Sequence, residues 1–141
     1  MKVLVDSNIW SIGLRRDHSR LNNHQLLVKN EFSKLFDNGD IALIDPVRQE
    51  VLSGVKQNEH YERLRKRLRS IPSEPLVIED YEDAARIYNQ CASKGIAVYS
   101  IDCLICAVAL RNGWLIFTLD KDFDHFHRIF GLKLHKPQSV S

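Results

Sequence analysis

The feature that most constrains this chain is an apolar triplet followed at once by an acid: Val3, Leu4 and Val5, then Asp6. A short run without polar alternation suits a strand buried on both faces, and such strands belong to parallel sheets covered by helices. In open α/β sheets the functional crevice lies outside the carboxyl ends of the strands. Asp6 therefore stands where chemistry is done in this class. The rest of the chain is read for other acids that reach the same edge.

The helices and strands that such a sheet needs follow in order. Ser7 is placed to cap a short helix through Ile9, Trp10 and Ile12 to Gly13. Arg15, Arg16, Asp17 and His18 then read as a polar loop. Leu26, Leu27, Phe32, Leu35 and Phe36 recur at near-helical spacing until Asn38-Gly39. Residues 41–44 form a second apolar strand. Asp45-Pro46 opens a helix, with Asp at the cap and Pro at the first position, and Ser53-Gly54 closes it. Residues 58–69 are highly charged, with Tyr61, Leu64 and Leu68 as a thin apolar stripe, and Pro72 and Pro75 stop them. Residues 76–78 read as a third strand. A helix with Ala84, Ala85, Ile87, Tyr88 and Cys91 ends at Gly95. Ser100 is placed to cap the next, which carries Asp102 in its first turn and runs to Asn112-Gly113. Residues 115–118 are a fourth strand, leading into Leu119-Asp120-Lys121-Asp122-Phe123-Asp124. A short helix with Phe126, Ile129 and Phe130 follows, then a last edge strand at 132–134. Strand and helix alternate throughout, which predicts an α/β chain: a three-layer α/β/α sandwich with a mostly parallel, doubly wound central sheet. At 141 residues the expectation is one domain over 1–141.

Composition narrows the class further. Apolar residues make up 44% of the chain, enough for a real core, but no apolar run reaches 18 residues. A transmembrane helix is thus not expected, and the N-terminus lacks a signal-peptide pattern, so the expected location is cytoplasmic. Cys91, Cys103 and Cys106 make an odd count, which fits a reducing compartment rather than a disulfide framework. Cys103 and Cys106 have the spacing of a zinc pair, yet only Cys91 offers a third ligand, so buried thiols in apolar helices are the expectation.

The acids gather by topology. Asp6 ends strand one and Asp120 sits just past strand four, so a parallel sheet brings both to one edge. Glu50 and Asp102 lie near the starts of helices that begin at that edge, where N–H groups and the helix dipole also point. Any one of them alone reads as a turn, cap or surface acid; the four together do not. Crowded carboxylates push one another's pKa up and oppose folding. A hard divalent cation removes that conflict, and an all-oxygen donor set selects Mg²⁺ or Mn²⁺ over zinc. One or two such ions suit phosphodiester hydrolysis. Asp122 is either a further ligand or an outer acid, and Asp124 either joins it or caps the helix before Phe126.

These residues carry a family resemblance. Val3-Leu4-Val5-Asp6-Ser7-Asn8, Pro46-Val47-Arg48-Gln49-Glu50-Val51-Leu52, the stretch from Ser100-Ile101-Asp102 to Ala109, and Thr118-Leu119-Asp120-Lys121-Asp122-Phe123 resemble, in order, the motifs of PIN domains, in particular the VapC-like toxins of toxin–antitoxin pairs. The resemblance implies an Mg²⁺- or Mn²⁺-dependent endoribonuclease with Asp6, Glu50, Asp102 and Asp120 as catalytic and metal-binding acids. Ser7 matches a small hydroxyl residue that helps orient a metal water, and Asn8 a polar position that holds the acidic loop. Water as nucleophile implies 3′-hydroxyl and 5′-phosphate products. A small antitoxin partner is implied, and a homodimer, for which the apolar stripes of 26–36 and 61–68 offer faces. Cys103 and Cys106 depart mildly from commoner apolar or small residues.

The net charge is only +2, but Arg63, Arg65, Lys66, Arg67 and Arg69 crowd into seven positions. Three readings stand for them: a track for an RNA backbone, a solvated helix face paired with Glu59 and Glu62, or a dock for an acidic partner. His125 and His127 read as surface residues, and Trp10 and Trp114 as core. Two enzyme or switch classes fit poorly. A receiver domain needs an acidic pair after strand one, and a haloacid-dehalogenase-type phosphatase needs Asp-x-Asp, where this chain has Asn8. A stand-alone RNA-processing nuclease and a non-catalytic binding module remain as alternatives.

Overall fold

Three parallel strands in the order β2-β1-β3 form the centre of the molecule: β1 (Val3–Val5), β2 (Ile41–Ala42) and β3 (Leu115–Phe117). The computed structural model describes residues 1–15, 17 and 19–137, so Arg16 and His18 of the expected polar loop lie outside the described residues. Val3 pairs with Ile41 on one side and Leu115 on the other, and Val5 pairs with Phe117. All three β1 residues are buried, as an apolar triplet without alternation requires. The chain moves from β1 to one flank and later returns to the other. Strand order therefore reverses at β1, the point where open α/β sheets form their crevice.

Seven helices among the described residues cover this sheet. They are α1 (Ser7–Gly13), α2 (Asn23–Asp37), α3 (Asp45–Leu52), α4 (Asn58–Arg69), α5 (Ile78–Ser93), α6 (Ser100–Asn112) and α7 (Phe123–Phe130). α1 packs on α2 and α3, and α3 on α4, while α5 runs along α6, which meets β3. The outcome is the expected α/β/α arrangement with a smaller sheet. Contact between α1 and α2 is close because Gly13 has no side chain: a Cβ there would stand 2.4 Å from Phe32 Cδ1. Trp10 meets the Phe32 ring edge-on at 5.0 Å and is fully buried. Truncating a fully buried side chain such as Leu4 costs about 2–5 kcal/mol.

Several expectations are corrected. Residues 76–78 are not a strand. Val77 and Ile78 are exposed, and the Asp80 carboxylate accepts from the Val77 N–H at 2.9 Å, which starts α5 at Ile78 instead. Residues 132–134 make only an isolated bridge, with Leu134 beside Ile116. The 41–44 run keeps two residues as strand; Leu43 bridges to Ser73, and Ile44 is already the N-cap of α3. The expected caps each move one residue earlier, to Asp6 for α1, Ile44 for α3 and Tyr99 for α6. Asp124 is not a cap but an exposed first-turn acid of α7, whose N-cap position is Asp122. Of the stripes offered for dimerisation, Phe32, Leu35, Leu64 and Leu68 are core residues, while Leu26 and Phe36 are only partly buried.

The three cysteines are free and buried between α5 and α6. Burial pushes the Cys103 thiol up to about 11 and Cys106 to about 12, so both are protonated and inert at neutral pH. No helix among the described residues is long and apolar enough to cross a membrane.

Candidate active site

Asp6 occupies the single residue between β1 and α1. Its N–H extends the sheet ladder to the Phe117 carbonyl at 2.9 Å, and its side chain caps α1 by accepting from the Ser7 N–H at 2.8 Å. Held by strand and helix together, the carboxylate is fixed at the edge of the sheet. Its second oxygen accepts from Thr118 Oγ1 at 2.8 Å and from Asn8 Nδ2 at 3.3 Å. Burial raises its pKa; the Thr118 and Ser7 bonds pull it back, and the charges of Glu50 and Asp120 raise it again, leaving it above the ordinary value.

The loop after β3 is tied to this acid by one hydroxyl. Thr118 Oγ1 donates to Asp6 and accepts from the Asp120 N–H at 3.0 Å. Asn8 adds a second tie, because its Oδ1 accepts from the Leu119 N–H at 3.1 Å. Asp120 in turn accepts from the Asp122 N–H at 2.9 Å, a local turn that leads into α7. Thr118 did not stand out as a site residue in the sequence, where a β-branched residue at a strand end reads as strand. The signal was its place two residues before Asp120.

Asp102 lies in the first turn of α6 and is 8% exposed. Burial, then the charges of Asp6, Asp120, Glu50 and Asp122, push it up to about 7. No group among the described residues donates to its carboxylate, and every charge acting on it is negative. Glu50 comes from α3, is exposed, and accepts from the Ser7 hydroxyl. Five acids from four remote stretches thus sense one another at the carboxyl edge of the sheet. Asp124 is not among the charges acting on Asp102.

As the side chains stand, no three His, Cys, Asp or Glu groups among the described residues close around an ion. The donor set nonetheless has the chemistry of a hard-cation site: carboxylate and hydroxyl oxygens, two acids buried, and no cationic side chain among the described residues to neutralise them. The two nearby histidines are engaged elsewhere, His125 with Arg128 at 2.5 Å and His127 with the Leu132 carbonyl at 2.6 Å.

The basic helix divides. Arg63 and Arg67 line a groove of about 730 Å³ that also contains Ser7 and Glu50. Arg65 is turned to Glu62, at 3.1 and 2.8 Å, and Lys66 and Arg69 are exposed outside the groove.

A parallel α/β fold with buried acids at its switch point is a recurrent hydrolase layout, and here the sequence comparison agrees with it. The PIN domain family matches residues 3–129, and the chain belongs to that family. It is 38% identical over 97 residues to the VapC ribonuclease Mb1587 of Mycobacterium bovis, covering 66% of this chain and 71% of that protein. Two crystal structures share the fold. One is VapBC2 from Rickettsia felis bound to a DNA fragment from their promoter, with TM-score 0.69, 19% identity and coverage of 96% and 98%. The other is FitAcB from Neisseria gonorrhoeae, with TM-score 0.73, 18% identity and coverage of 96% and 97%.

Proposed function

We propose that this chain is a metal-dependent endoribonuclease, and that it acts as the toxin of a VapBC-type toxin–antitoxin pair. The observation that carries the reading is Asp102: a buried residue at the mouth of the sheet, surrounded by other acids, with no side-chain donor or cation on its carboxylate among the described residues. Ionised, such an arrangement opposes folding until a proton or a cation offsets the charge, and an all-oxygen set of acids suits a hard cation. The relative named as a VapC ribonuclease supports the substrate class.

Asp6 and Asp102 are the residues to hold Mg²⁺ or Mn²⁺ directly, with Asp120 and Glu50 completing the set. Binding must draw these side chains together. The cation, when bound, supplies positive charge to the carboxylates and to a phosphate oxygen. The chain's own groups do the rest. Thr118 and the Ser7 N–H orient Asp6. Asn8 and Thr118 hold the loop that presents Asp120, and Asp122 adds negative potential behind it. Glu50, exposed and accepting from the Ser7 hydroxyl, orients the attacking water as it completes that set. In-line attack by water releases a 3′-hydroxyl and a 5′-phosphate.

The partner reading rests on similarity. Relatives carry VapC and VapBC names, so a small antitoxin encoded beside this chain is the expected inhibitor. The deciding experiment measures RNA cleavage with Mg²⁺ or Mn²⁺, with EDTA, and with Asp102→Asn. Metal-dependent cleavage that the substitution abolishes supports the reading. Equal cleavage in EDTA, or products ending in 2′,3′-cyclic phosphate, would overturn it.

A further inference from the structure

Helix α4 presents its cations on two different faces. His60, Arg63 and Arg67 recur at spacings of three and four, which places them on one stripe. That stripe lines the groove of about 730 Å³ whose opposite wall is α1. Ser7 and Glu50 mark the end of the groove at the acidic crevice, where α1 begins. Arg15 marks the other end, eight residues further along, a rise of roughly 12 Å if helical throughout. Lys29 stands behind it, donating to the carbonyl oxygens of Gly13 at 2.9 Å and Arg15 at 2.8 Å. Burial and the nearby charge of Arg67 both lower the Lys29 pKa, so Arg67 belongs to this basic end. The Arg67 guanidinium lies over the Phe36 ring, 5.4 Å from its centre, which anchors the side chain. The groove is therefore acidic at the hydrolytic edge and basic away from it, with Leu14, Val51 and Val55 along its length.

We propose that this groove is the track for the RNA strand, with Arg63 and Arg67 holding phosphates that flank the scissile one. The inference rests on the ribonuclease reading above and adds which cations meet the substrate. A polyanion directed at a cluster of carboxylates is repelled unless neighbouring phosphates are held by positive charge, and the groove supplies that charge on a path that ends at Glu50. Leu14, Val51 and Val55 offer apolar contact along the path but no stacking platform, so the affinity rests on the phosphate contacts. Arg63 and Arg67 are positioning residues. Arg65, committed to Glu62, takes no part, nor do Lys66 and Arg69.

The test measures affinity for a labelled single-stranded RNA oligonucleotide in EDTA across a salt series, so that binding is read without cleavage. The double variant Arg63→Gln/Arg67→Gln is expected to bind about tenfold more weakly, with a salt slope shallower by about 1.4, the loss for two phosphate contacts on a single strand. Arg63→Lys/Arg67→Lys keeps the slope, because lysine carries the same charge, and Arg65→Gln leaves affinity unchanged. In turnover with Mg²⁺ the glutamine pair raises KM and spares kcat. An unchanged slope in the glutamine pair, or an equal loss in Arg65→Gln, overturns the proposal. So does poly-glutamate binding that the pair abolishes while RNA affinity holds, which assigns the groove to an acidic partner. Cleavage with arginine-independent RNA binding sinks this inference alone. Arginine-dependent binding without any cleavage sinks the ribonuclease reading and leaves the track standing.

Discussion

Of the three buried aspartates among the described residues, two lie in the first turn of a helix, and they have opposite fates. Asp80 opens α5 and Asp102 opens α6. Burial penalises the charge on both. At Asp80 the penalty is outweighed: Arg111 binds it in a fork, Nε at 2.6 Å and Nη2 at 2.9 Å, and the Val77 N–H adds a third bond. Its carboxyl ends below the ordinary value. At Asp102 no cation among the described residues arrives, and four other acids add to the penalty. The first aspartate is part of the scaffold, joining the start of α5 to the end of α6. The second has no such partner and holds its proton up to about 7 instead, a perturbation of the kind that clusters at functional sites.

The comparison predicts where each substitution is felt. Asp102→Asn removes a proposed ligand. Since losing an outer partner of a metal ligand already costs about 10–100-fold, the loss in metal-dependent cleavage should reach at least about a hundredfold. The metal-free chain should not be destabilised, because an uncompensated charge has been removed. A drop in activity that tracks a drop in folded fraction would place Asp102 with the scaffold after all. Asp6→Asn should lose activity similarly but also weaken the cap of α1, since the amide accepts less strongly from the Ser7 N–H.

Arg111→Ala makes the opposite cut. It strands Asp80 as a buried carboxylate without its cation. Breaking a fully buried pair costs about 3–5 kcal/mol; with Arg111 about one-third exposed, roughly 2–3 kcal/mol is expected. Denaturant unfolding measures it. Cleavage per folded molecule should be unchanged, and a selective loss of kcat in a fully folded variant would contradict the division between the two aspartates.

The pH dependence separates them as well. Asp102 moves from 3.8 to about 7 on folding. Between those values the folded chain retains a proton that the unfolded chain has released, so the Asp102 contribution falls as pH rises through that window. Asp80 is shifted down, so its contribution is present at neutral pH and is lost as pH falls through its lowered value. Without metal, Asp102→Asn should therefore gain stability relative to the parent as pH climbs from about 4 to about 7, while Asp80→Asn should lose stability relative to the parent only as pH climbs toward 3.8 and keep a constant deficit above it. Parallel profiles for parent and Asp102→Asn would mean that the carboxyl ionises freely in the fold.

Much of this was readable before the structure. The acids Asp6, Glu50, Asp102 and Asp120 were legible because each stands at a strand end or near a helix start, and a parallel sheet sends those positions to one edge. The pair Asp80–Arg111 was not, because the partners lie 31 residues apart and neither breaks the periodicity of its helix. The false strand at 76–78 has the same cause. An apolar triplet there looks like β1, and only the bond from the Val77 N–H to Asp80 shows that the backbone is already committed to a helix. The caps slipped by one residue because Ser7, Asp45 and Ser100 are good capping types that sit inside the first turn, while Ile44 and Tyr99 cap with no side-chain bond. Thr118 was hidden by its propensity, since nothing in a strand-forming residue announces that its hydroxyl will face an acid.

Thr118→Val gives the smallest effect and tests the finest part of the contrast, the difference between compensating a charge and merely orienting it. Valine keeps the shape and removes the hydroxyl. Asp6 loses its 2.8 Å donor, and the Asp120 N–H loses its 3.0 Å acceptor. A single neutral bond is worth about 1 kcal/mol net, so the fold should persist with a modest loss. The Asp6 pKa should rise further, because the Thr118 bond is the largest influence holding it down. Both changes weaken a proposed ligand without deleting it. The Mn²⁺ concentration for half-maximal cleavage should increase about tenfold, the lower range for an outer partner, with activity recovering at saturating metal. Asp102→Asn should not recover under the same conditions. If Thr118→Val keeps the parent's metal requirement, the hydroxyl serves only to fasten the β3 loop, and Asp6 is oriented by the Ser7 N–H and Asn8 alone.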